Sequence, residues 1–113
     1  MDLVNDIQTL MEELSISINK LAKNGENLAQ AERDYKICLR QEALKLRSEK
    51  NMPVTLISQI IFGVPEVAEK RYKRDIAEAL YMTNQEHINA TKLKLRILES
   101  QINREWYNAD KGV

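Results

Sequence analysis

The chain has 113 residues, 43% apolar and 30% charged, with only three Gly and two Pro; this mix excludes wholesale disorder and favours one domain of long helices. Lys plus Arg and Asp plus Glu number 17 each, and a net charge of zero argues against a polybasic coat for DNA. No run reaches the about 20 apolar residues of a membrane span, so no membrane partner is expected.

The charge is unevenly spread. Residues 1–32 carry six acids and two bases, residues 33–75 ten bases and six acids, and residues 76–113 five of each. The start, "MDLVNDIQTLMEEL", is acidic and lacks the basic opening of a signal peptide. Cys38 is the only cysteine, which forbids an internal disulfide and suits a reducing cytosol; a buried thiol is its expected role.

In the first helix, Val4, Ile7, Met11, Leu14, Ile18 and Leu21 fall at 3–4 spacing and predict one apolar stripe. The stripe resumes after "KNGEN" with Leu28, Ala31, Tyr35, Cys38, Leu39 and Leu46. Gly25 costs about 1 kcal/mol relative to Ala in a helix. It leaves two readings, one helix with a weak point or two helices bent at Asn24-Gly25. The good helix formers around it favour continuity or a mild kink over a helix 3–47.

"SEKNMPVT" is the first firm break, because Pro53 lacks a backbone donor and disfavours helix at Met52. A short helix is expected over 55–61, ended by Gly63 as a positive-φ cap. Pro65 and Glu66 suit the first turn of a last helix over 65–107. That helix would be roughly 60 Å long and must pair with something. Its expected stripe runs from Ala68, Tyr72, Ile76, Ala79 and Leu80 through Ile88, Leu95, Leu98, Ile102 and Trp106. Residues 108–113 are expected to form a flexible tail.

The expected fold is therefore all-α, a single domain over 1–113. It is a long antiparallel, coiled-coil-like helical hairpin with a short helix at the turn. Two helices leave apolar surface to spare, so assembly into a homo-oligomeric bundle, dimer or higher, is expected.

Three groups of residues are candidate sites. "TLISQIIFGVPEVAEKRYKRD", 55–75, has the outline of a helix-turn-helix. With Gly63 as the turn glycine, Gln59 and Glu69 spoil the packing pattern, and the following helix is too long for an ordinary recognition helix. The cations Lys45, Arg47, Lys50, Lys70, Arg71, Lys73 and Arg74 still gather near the bend. They form an anion or partner contact, or a solvated face with i,i+4 pairs such as Glu69–Lys73 and Glu66–Lys70. Asn84, His87 and Thr91 share a face near the stripe and form a candidate polar layer that sets register. His87 is the only histidine, with Glu86 and Cys38 as its only plausible co-ligands, so no metal is expected. Trp106 and Tyr107 either pack on the first helix near Val4 and Ile7 or contact an oligomer mate or partner.

No catalytic pattern is present: no Ser/His/Asp set, no Gly-rich phosphate loop and no paired cysteines. Neither an enzyme activity nor a cofactor is expected.

"MPVTLISQIIFG", "KRYKRDIAEALY" and "KLKLRILESQINREW" resemble stretches of small, largely uncharacterised helical proteins of temperate phages and prophages of Gram-positive bacteria. The similarity spans residues ~28–107. Some of those proteins sit among early genes for recombination and replication. The resemblance implies a phage-derived protein in the cytoplasm of the bacterial host, and it carries no catalytic residue. The leading expectation is a non-catalytic interaction protein that binds a host or phage protein in phage DNA metabolism or counter-defence. The alternative is a nucleic-acid-binding accessory protein using the basic turn. A weaker alternative is an oligomer that sequesters nucleotides in an intersubunit pocket.

Overall fold

The computed structural model describes residues 2–111, with side chains through Ala109. Three α-helices follow one another: α1 (Leu3–Glu49), α2 (Val54–Ile60) and α3 (Pro65–Lys111), with a 3-10 turn (Ile61–Gly63) between α2 and α3. Among the described residues the chain is almost entirely helical, without strands, and forms the hairpin with a short helix at its bend. α1 is unbroken through Asn24-Gly25. The tail expected at 108–113 is still helical through Lys111, and Gly112 and Val113 lie outside the described residues. No helix is long and apolar enough to cross a membrane among the described residues.

The chain divides into two compact units. The first joins residues 1–22 to 82–113. Its seam on α1 is Leu3, Ile7, Leu10, Leu14, Ser17 and Leu21, and on α3 it is Asn84, Ile88, Thr91, Leu95, Leu98 and Ile102. Both sets alternate three- and four-residue steps, the heptad rhythm of paired helices. The second unit is residues 23–81. There Tyr35, Ile57, Ile61 and Val67 form a buried cluster, with Leu39, Ala43, Leu46 and Met52 packed against it. α2 supplies Ile57 and the 3-10 turn after it supplies Ile61, and together they turn a two-helix contact into a small three-element core.

The expected stripes need correction. Ile7, Leu14 and Leu21 face inward, but Val4, Met11 and Ile18 are exposed. At 100° per residue, the arc shared by positions 3, 10, 17 and 7, 14, 21 leaves 4, 11 and 18 about 80° off its centre. On α3, Tyr72, Ile76 and Leu80 are exposed, and Val67, Lys70, Arg74, Ala77 and Tyr81 take the inner positions. Lys70 and Arg74 fit there because their long stems can lie along apolar surface while their charged heads reach water.

The bend is closed differently from the expectation at Gly63. No glycine has a positive φ among the described residues, and Asn51, at φ 49, takes the left-handed position instead. Asn tolerates that conformation better than most residues. The Met52 amide then donates back to the Leu46 carbonyl at 3.2 Å, and the Arg47 guanidinium donates to the Met52 carbonyl at 3.0 Å. Pro53 precedes α2 in extended conformation, and its carbonyl accepts from the amides of Leu56 and Ile57. Gly63 ends the 3-10 turn, and the Val64 carbonyl opens α3 by accepting from Ala68 at 2.9 Å.

Candidate functional site

The seven cations of the bend are not equivalent. Lys45 donates to the Glu42 carboxylate at 3.2 Å, and this bond, with the charge of Glu42, raises the lysine pKa above its ordinary value. Arg47 is spent on the Met52 carbonyl. Arg71 lies over the Phe62 ring, 5.0 Å from its centroid. Arg74 lies over the Tyr35 ring at 4.7 Å and donates through Nε and Nη2 to Asp75, at 3.1 and 2.8 Å. Hydrogen bonding to Asp75 raises its pKa further. Lys73 approaches Glu69 at 4.0 Å, the i,i+4 pair expected from the spacing. Lys70 and Lys73 line a shallow groove of about 170 Å³ with Asn27, Gln30, Ala31 and Asp34. Exposed ion pairs of this kind are worth little and exchange readily. The Arg47, Arg71 and Arg74 contacts instead build the corner.

The helix-turn-helix outline finds little support in the packing. Its second helix would bury positions 69 and 72, yet Glu69 and Tyr72 are both exposed and Val67 is fully buried.

The polar layer is partly assembled. Asn84 is buried and donates from Nδ2 to the Ser17 carbonyl at 3.0 Å, across the seam of the first unit. Thr91, 1% exposed, donates to the His87 carbonyl at 2.8 Å. The His87 side chain is exposed, because it sits one step outside the seam that carries Asn84 and Thr91. Ser17, buried opposite Asn84, belongs to the layer and was not singled out from sequence. Its only signal was a hydroxyl at a heptad position among leucines.

At the far end of the first unit lie Val4 and Trp106, both largely exposed. The two residues line one open groove with Asp2, Leu3, Ile102 and Glu105. The indole is nonetheless 74% exposed, and Tyr107 is exposed beside it. A second groove of about 390 Å³ in this unit is lined by Asp6, Thr9, Leu10, Lys94, Ile97 and Leu98.

The strongest surface feature is apolar. Large hydrophobic side chains exposed on the described residues number eighteen, against five buried. They include Val4, Met11 and Ile18 on α1, Ile76 and Leu80 on α3, and four on or beside α2, namely Val54, Leu56, Ile60 and Phe62. The last four were missed from sequence, although residues 54–64 contain no charged side chain.

Comparison with protein-family models, with curated proteins and with solved structures finds no match to this chain.

Proposed function

We propose that this chain is a non-catalytic, phage-derived interaction protein of the bacterial cytoplasm. It self-associates and offers the remaining helical faces to a host or phage protein. One observation carries this reading: among the described residues eighteen large apolar side chains are exposed and only five are buried. A monomer rarely leaves such faces in water, and helix faces of this kind are covered by other helices. Stacked grooves and stripes along helices recognise helices through side chains at i, i+3, i+4 and i+7.

The experiment is sedimentation velocity of the full chain across the micromolar range, paired with capture of partners from host lysate. The expected result is an oligomer at tens of micromolar. A partner captured by the native chain should be lost with Ile76→Lys/Leu80→Lys. A clean monomer that retains the same proteins with and without that double substitution would sink the reading.

Direct nucleic-acid binding is the subordinate reading, favoured by the cluster of cations at the bend. Five of the seven engage neighbours of their own chain. Any duplex binding would therefore be weak and steeply salt-dependent, which titration at two salt concentrations reads directly.

A further inference from the structure

We propose that the groove between the start of α1 and the end of α3 receives an arginine side chain of the partner protein, laid over the Trp106 indole. This rests on the interaction reading above and names the chemistry by which one surface of the chain is recognised.

The groove holds about 380 Å³. Its apolar wall is Leu3 and Val4 from α1 with Ile102 and Trp106 from α3. The indole is 74% exposed, so its face is open to a ligand. A tryptophan face attracts a cation through its ring quadrupole, more strongly than the other aromatic rings do.

The charged residues that line the groove, Asp2 and Glu105, are both carboxylates. Neither is in an ion pair among the described residues. The bases on this stretch of α3 lie elsewhere: Arg96 and Arg104 line a different groove, and neighbours at i,i+1 such as Arg104 and Glu105 do not face each other on a helix. Asp2 is also held in place. The Asn5 amide donates to its Oδ1 at 3.1 Å as the cap of α1, which leaves Oδ2 for a second donor. The site therefore combines an apolar wall, an open indole and two carboxylates without a matching base.

Arginine fits all three. Its alkyl stem lies along apolar surface, and its planar guanidinium stacks on an aromatic face while donating to carboxylates in its plane. A lysine ammonium is more strongly hydrated and cannot stack in that way. Arginine and tryptophan are also the residues that carry most binding energy where proteins meet.

Trp106 is the only tryptophan of the chain, so its fluorescence reads this groove alone. The probes are blocked Gly-Arg-Gly peptides, with the arginine replaced by citrulline, which has the same shape without the charge, or by lysine. At low salt the arginine peptide should shift the emission saturably and bind about tenfold more tightly than the citrulline peptide, with lysine between them. Asp2→Asn/Glu105→Gln removes both charges, and Asn keeps the helix cap. That variant should melt like the native chain and bind arginine and citrulline alike. An unsaturable response, citrulline binding as well as arginine, lysine binding as tightly as arginine, or an arginine preference that survives the double substitution would each overturn the site. These readings need neither an oligomer nor a captured partner, so they fail separately from the interaction reading, which sedimentation and capture decide.

Discussion

Gly25 shows how one residue's context reverses its expected cost. A Cβ built there would lie 3.3 Å from Cε2 of the Tyr81 ring, closer than an ordinary van der Waals contact. The glycine is a seat for the ring rather than a hinge, and α1 runs through it without a break. Gly25→Ala should therefore be close to neutral, since about 1 kcal/mol of helix propensity is offset by displacing Tyr81. In a Tyr81→Leu background the same change should stabilise by about 1 kcal/mol. Urea unfolding of the four chains measures the coupling, and strict additivity would contradict the contact. Asn84 is the complementary case, a buried polar side chain bonded across the seam to the Ser17 carbonyl. Asn84→Ala should cost about 1–2 kcal/mol, from the lost bond and the space left behind. Asn84→Leu should hold or raise the melting temperature but broaden or double the amide resonances, because a leucine fits more than one register. A single sharp set of resonances would remove the register role.

At the scale of elements, α2 deserves more weight than its seven residues suggest. Too short to be stable alone, it is held by Ile57 and Ile61 in the cluster with Tyr35 and Val67. Ile61→Ala should lower stability by about 2–4 kcal/mol, the usual cost of emptying a well-packed aliphatic site. Amide hydrogen exchange should show residues 54–63 losing protection first. Uniform loss along α1 and α3 would mean that α2 is not a separately held element. Much of this element was legible beforehand. Pro53 and Pro65 bracket it, and the short helix expected at 55–61 differs from Val54–Ile60 by one residue at each end. Its cap was not legible. Gly63 looked like the positive-φ residue, but the chain reverses at Asn51, where the Arg47 bond to Met52 closes the corner. That bond depends on where α1 stops, which local pattern does not settle.

For the whole molecule, few buried apolar side chains and many exposed ones imply that stability and assembly are linked. Any assembly that binds the folded chain and not the unfolded one stabilises by mass action. The oligomer expected in sedimentation should therefore also appear as a melting temperature that rises with protein concentration.

The amino-acid sequence by itself determined the helical class, the two long helices and the place of the bend. Composition, sparse Gly and Pro, and a strong three-four rhythm suffice for that. Only the tertiary structure decided which arc of each helix turns inward. α1 and α3 each carry apolar residues on more than one arc, so periodicity alone leaves the choice open. The choice falls to the mutual fit of facing side chains, with Tyr81 over Gly25, Asn84 on the Ser17 carbonyl and Arg74 stacked on Tyr35. Tyr72, Ile76 and Leu80 are left outside by that fit, although their hydrophobicity marked them for the core.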